Sequence, residues 1–167
     1  MFRFAKTVSS RILPTLSSKG LRAYASEAAA KGKGLIVNFS VPHQSILKSA
    51  PAIQVNASAV SGDMGILPDH VPSIEQLKPG MLEIVQETGA EKWFVTGGFA
   101  IITPESVLNI NAVEAYKLAD ISPEAVKREL ADSKQFLAAA KNDQEKAAAE
   151  IEIELYETLQ QCLLSTQ

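Results

Sequence analysis

From position 34 to about position 121, apolar and polar residues alternate along the chain. Leu35, Val37, Phe39 and Val41 alternate with Asn38 and Ser40. Ile53, Val55, Ala57 and Ala59 alternate with Gln54, Asn56 and Ser58. Successive side chains of a strand point to opposite faces, so this period of two predicts strands with one buried and one wet face. The runs Met81–Gln86, Trp93–Thr96, Phe99–Ile102, Val107–Ile110 and Val113–Leu118 read the same way. Pro79-Gly80, Thr88-Gly89, Gly97-Gly98 and Thr103-Pro104-Glu105 are turn signals between runs. Short, evenly spaced strands without helical crossovers predict an antiparallel sandwich or barrel, not a parallel sheet.

At Ile121 the period lengthens to that of a helix. Ser122-Pro123-Glu124 places a hydroxyl at the cap, proline at the first helical position and an acid near the positive end. Val126, Leu130 and Leu137 then share a face. Lys141-Asn142-Asp143 breaks the run, and Asn142 with Glu145 forms a second capping pattern. The second helix is expected to bury one stripe of Ala148, Ile151, Leu155, Leu159 and Cys162. So short a break predicts an antiparallel hairpin. Its few large apolar side chains fall short of offsetting the entropy of ordering both helices. The hairpin is therefore expected to dock onto the sandwich or onto another subunit.

The charge distribution changes the picture at the N-terminus. Residues 1–26 hold Arg3, Lys6, Arg11, Lys19 and Arg22 and no acid. The rest carries eleven basic against nineteen acidic residues, a net charge of −8. Basic, serine-rich and acid-free composition is that of a mitochondrial presequence. Phe4, Val8 and Ile12 fall on one helical side, and Pro14 ends the helix. Arg22-Ala23-Tyr24 resembles a matrix-protease site, with the cut expected after Tyr24. Residues 1–24 are thus expected to be an address and 25–33 a flexible lead-in, followed by a sandwich over 34–120 and the hairpin over 121–167. An acidic domain repels phosphates, so nucleic acid is not an expected partner. No apolar run reaches the roughly 18 residues of a membrane span, so a soluble or peripheral protein is expected.

Chemistry is sparse. His43 and His70 are the two histidines, and no paired cysteine, HExxH or His/acid cluster offers a metal cage. GxSxG and P-loop patterns are absent, and Gly97-Gly98 precedes a strand and reads as a tight hairpin turn. Cys162, the single cysteine, lies in an apolar helical pattern and reads as a packing residue. Asp63, Asp69 and Glu75 read as surface acids. No metal, cofactor or catalytic residue is expected.

The unusual stretch is Ser61-Gly62-Asp63-Met64-Gly65-Ile66-Leu67-Pro68-Asp69-His70-Val71-Pro72. Its glycines permit positive φ and its prolines stiffen the path. A rigid loop carrying Met64, Ile66 and Leu67 suits a protein contact, or a structural corner whose apolar side chains tuck under the sheet. Continued through Lys78-Pro79-Gly80, it closely resembles the signature of the ATP synthase delta/epsilon family: a glycine, an acid, G-I-x-P, then H-x-P and a strand ending in K-P-G. The likeness continues through WFVTGGFAIITPESVLNINAVEAYKLADIS and covers roughly residues 34–165.

The resemblance implies a sandwich of about ten antiparallel strands followed by a helical hairpin. It implies a rotor subunit without an active site, which binds the gamma shaft, rests on the loops of the membrane c-ring and transmits rotation. In mitochondria a further small subunit, named epsilon there, packs on it at the matrix side of the inner membrane. By the match Asp63 is the acid facing the c-ring, with Ser61, Gly62, Met64, Leu67 and His70 beside it. Some bacterial relatives bind ATP through an I-D-x-x-R-A run and arginines of the hairpin. Here the first helix reads Val126-Lys127-Arg128-Glu129-Leu130 and the second has no arginine, so nucleotide binding is not expected. The competing readings are a matrix chaperone or adaptor and a small β-barrel enzyme using His43 or His70.

Overall fold

The computed structural model describes residues 34–140 and 142–165. The expected address and lead-in lie outside the described residues. Nine strands come first: β1 (Leu35–Val41), β2 (Gln44–Ala52), β3 (Gln54–Ala59), β4 (Gly62–Ile66), β5 (Ser73–Gln86), β6 (Gly89–Val95), β7 (Gly98–Ile102), β8 (Val107–Ala112) and β9 (Ala115–Lys117). A 3-10 turn over Leu118–Asp120 leads into α1 (Pro123–Ala139) and α2 (Asp143–Leu164).

The hydrogen-bonded order is β2-β1-β8-β7-β5-β3-β4, and β6 bridges β5 and β9. β5 joins the two layers of a sandwich. Its first half, residues 73–77, pairs with β7, while residues 80–86 pair with β6. Every pairing is antiparallel except that of β1 with β8. The alternation of β1 sends Leu35, Val37, Phe39 and Val41 inward, into one core with Val55 and Ala57 of β3. Phe39 of one layer meets Trp93 of the other edge to face, with ring centroids 5.5 Å apart.

Two local expectations change, and one strand, β2, was not expected. β2 had no clean alternation to read; its pairing with β1 is broken by register shifts, and Ser49 has φ 47°. Pro79-Gly80 does not separate two strands but lies inside β5. A Cβ at Gly80 would sit 2.8 Å from the Ser58 Cβ, so the neighbouring strand crosses too closely for any side chain. The stretch 61–72 is not one loop, since its first half is the strand β4, paired residue by residue with β3.

Both helix starts form as the sequence predicts. Ser122 Oγ accepts from the Ala125 amide at 3.5 Å, and Asn142 Oδ1 accepts from the Glu145 amide at 2.7 Å. The hairpin docks through a second cluster in which Phe94, Leu118, Val126, Leu159 and Cys162 are buried, with Met81 and Leu155 packed against it. The expected stripe of α2 is corrected here. Leu155, Leu159 and Cys162 meet the sandwich, but Ile151 on the same stripe is 68% exposed and Ala148 is exposed, because that part of α2 has no sheet beneath it. Ala149, one position on, is buried, as is Ser133 of α1, whose Oγ donates to Glu152 of α2.

Candidate functional site

Among the described residues, chemistry or contact could occur at the two histidines, the 61–72 segment, the cleft beside α2 and the paired glycines. His43 is exposed in the turn between β1 and β2. His70 Nδ1 lies 2.9 Å from the carbonyl of its neighbour Val71. Among the described residues, no group of three His, Cys, Asp or Glu side chains could hold a metal ion. Gly97 and Gly98, at φ 142° and 143°, form a turn in which a Cβ at Gly98 would overlap the Asn111–Ala112 backbone.

The 61–72 segment is a surface built on an edge strand. β4 ends the sheet order, so one side of its backbone pairs with β3 and the other is open to a neighbour. Ser61, Gly62 and Asp63 lie at its start. Ser61 Oγ donates to Glu75 at 2.8 Å, and Asp63 pairs with Lys78 at 3.7 Å. The Asp63 side chain is 79% exposed, so this pair contributes little and yields easily to a partner. Met64 turns its side chain toward the core, and Ile66 is fully buried. Leu67, half exposed, and His70 follow at the far end. At ~3.3 Å per strand residue, the two ends of β4 stand about 13 Å apart. The six predicted residues therefore form two groups joined by a strand, not one compact patch.

The sequence did not reveal what lies beside the first group. A cleft of about 430 Å³ is lined by Ser58, Asp63, Lys78, Met81, Thr158 and Gln161, so the last turns of α2 border Asp63. Cys162 sits in its wall. Burial pushes its thiol pKa up, hydrogen bonds from its own and the Met81 backbone pull the other way, and the Asp63 charge adds to the rise. No spacing rule links residue 63 to residue 161; the docking of the hairpin does.

The second group is fixed differently. Asp69 has φ 61° and Ser106 φ 59°, both left-handed, and they face each other. The Asp69 amide donates to Ser106 Oγ at 2.9 Å, and that hydroxyl donates to Asp69 Oδ1 at 3.3 Å. Asp63, Asp69 and Glu75 thus each have a separate partner and form no joint acidic site.

The described residues form a sandwich with an edge strand at β4 and a docked helical hairpin. Residues 36–117 match the family described as ATP synthase, Delta/Epsilon chain, beta-sandwich domain. The chain is 46% identical over 156 residues to ATP synthase subunit delta, mitochondrial, of Neurospora crassa, covering 92% of this chain and 93% of that one. It is 40% identical over 142 residues to the protein of the same name from Saccharomyces cerevisiae, covering 85% and 88%. A chain of the Euglena gracilis mitochondrial ATP synthase, solved with its c-ring, superposes with a TM-score of 0.73 at 29% identity, covering 78% of this chain and 81% of that one. This chain belongs to the ATP synthase delta/epsilon family.

Proposed function

We propose that this chain is the non-catalytic central-stalk subunit of a mitochondrial ATP synthase, carried on the matrix side of the inner membrane and peripheral to it. The observation that carries the reading is the near full-length match to mitochondrial delta subunits, sandwich and hairpin together. The sandwich binds the gamma shaft, and the β4 edge rests on the c-ring. The exposed Asp63 exchanges its weak bond to Lys78 for basic or amide groups of the ring loops. Met64, buried on its inner side, supports the strand, while Leu67 and His70 contact the assembly at the far end. The mitochondrial epsilon subunit packs on the same module. Residues 1–24 serve as the import address, a reading supported by their basic, acid-free composition.

Asp63→Lys tests the contact. It removes the Lys78 pair and sets two cations side by side at an exposed position, so stability changes by less than about 1 kcal/mol. On native gels of mitochondrial membranes the labelled chain should run in a large complex, and the variant should release more of the c-ring on mild detergent treatment. Equal ring retention would refute the assignment of Asp63. A wild-type chain running alone near its own mass would favour the adaptor reading.

A further inference from the structure

Ser106 holds three segments at one point. Its own amide donates to Thr103 in the β7–β8 turn at 3.2 Å. Its carbonyl accepts from Ile36 at the start of β1 at 3.0 Å. Its Oγ takes both bonds with Asp69 already described, at 2% exposure. The loop 67–72 closes on itself through a bond from the His70 amide to the Leu67 carbonyl at 3.2 Å. Among the described residues, no other hydrogen bond ties that loop to the sandwich body. Two non-glycine residues are held left-handed here, a conformation that costs energy and persists where the surroundings fix it.

We propose that Ser106 is a positioning residue for coupling. Through Asp69 it latches the loop carrying Leu67 and His70 to the sandwich, so that load on the loop reaches the body instead of bending it. A loop joined to a sheet by two prolines alone is stiff within itself but free to pivot at its ends. A buried hydroxyl that both donates and accepts removes that pivot. The inference rests on the central-stalk reading above but not on the assignment of Asp63.

The test uses the assembled ATP synthase reconstituted in vesicles. Ser106→Gly removes the hydroxyl and keeps the left-handed backbone without strain. Amide exchange of the 67–72 segment should rise roughly tenfold, the size of one lost hydrogen bond. Proton-driven ATP synthesis should fall severalfold relative to ATP hydrolysis, with the amount of assembled complex unchanged. Asp69→Asn, with Ser106 intact, keeps an acceptor oxygen and a side chain tolerant of positive φ, and should leave both readouts at wild type. If Ser106→Gly fails to assemble, Asp69→Gly removes only the acceptor and should move both readouts the same way by less. A synthesis-to-hydrolysis ratio that stays at wild type while exchange rises overturns the proposal, as does exchange that does not change. Asp63→Lys in the same vesicles separates the two ideas. Loss of the ring there with normal coupling in the Ser106 variant sinks the latch alone. Normal ring retention with impaired coupling in the Ser106 variant sinks only the Asp63 contact.

Discussion

The sandwich and the hairpin are stabilised in different ways. In the sandwich, two layers close on a continuous core in which Phe39, Leu35, Leu82, Ile84 and Leu108 have no exposed surface. Pairings between strands distant in sequence, β1 with β8 and β3 with β5, join its local hairpins into one body. The hairpin has no core of its own. Its buried contacts are with Phe94 and Leu118 of the sandwich, or between its two helices. Its far half carries Phe136 and Ile151 exposed. A strand buries one face by pairing and stacking; a two-helix unit must borrow a surface. The sandwich should therefore fold as a unit and the hairpin should fold on it.

The sharpest way to break this comparison is a residue on which the sandwich depends and the hairpin does not. Gly98 is that residue. A Cβ there would overlap the Asn111 carbonyl and sit 2.8 Å from the Ala112 Cα, with φ at 143° besides. Gly98→Ala should cost more than about 4 kcal/mol, since neither strand can retreat without losing the β7–β8 ladder. Gly89 is the control, with φ at 140° but open space around it. Gly89→Ala should cost ~1–3 kcal/mol from backbone strain alone. Urea unfolding followed by Trp93 fluorescence measures both. Equal losses would mean that backbone conformation, not the close crossing, makes Gly98 essential. If either variant unfolded the hairpin while leaving Trp93 in its native environment, the dependence would run opposite to that argued here.

The same contrast explains what could be read from the sequence. β1 and β3 were legible because their inner faces are uniformly apolar and their outer faces polar, down to the Asn38–Asn109 pair across β1 and β8. β2 was not, because Ile46 and Leu47 are adjacent and its register shifts. β4 was hidden by two glycines and an aspartate, which read as a loop until the pairing partner is known. Pro79-Gly80 is a turn signal that the close approach of Ser58 turns into a bend. The helix caps were legible because a cap is a local bond. The stripe of α2 was not, because burial there is decided by where the sandwich ends. The six residues proposed for contact were grouped together in the sequence; the strand between them sets them apart. The Ser106–Asp69 latch joins positions 37 apart and has no local signature.

The second prediction undocks the hairpin and spares the sandwich. Leu159 is buried at the junction. Leu159→Ala removes side-chain packing from the cluster of Phe94, Leu118 and Val126 and should cost ~2 kcal/mol, near the lower end for a buried leucine because the helices can shift to close the gap. Thermal melts should then separate: helical circular dichroism at 222 nm falls first, and Trp93 fluorescence changes later. A single coincident transition in the variant would show that sandwich and hairpin unfold as one unit, and the comparison above would fail.

Cys162 reports the same docking with the smallest effect. Its thiol is buried against the sandwich and its pKa is raised, first by loss of water and then by the Asp63 charge. The folded state therefore holds the thiol proton more tightly than the unfolded chain does. Stability from this group is complete below the ordinary thiol pKa of about 8.5 and is lost as pH climbs through the raised folded value. Hairpin stability should decline above that pH, and Cys162→Ala should remove this part of the decline, with other groups leaving a remainder. Alkylation at pH 8 should be slow in the wild type, because the thiolate is both scarce and shielded. It should quicken in Leu159→Ala, where the hairpin lifts away and the thiol regains water. Rapid alkylation of the wild type would show that the α2 docking seen here opens freely in solution, leaving Asp63 without the helical wall that borders it.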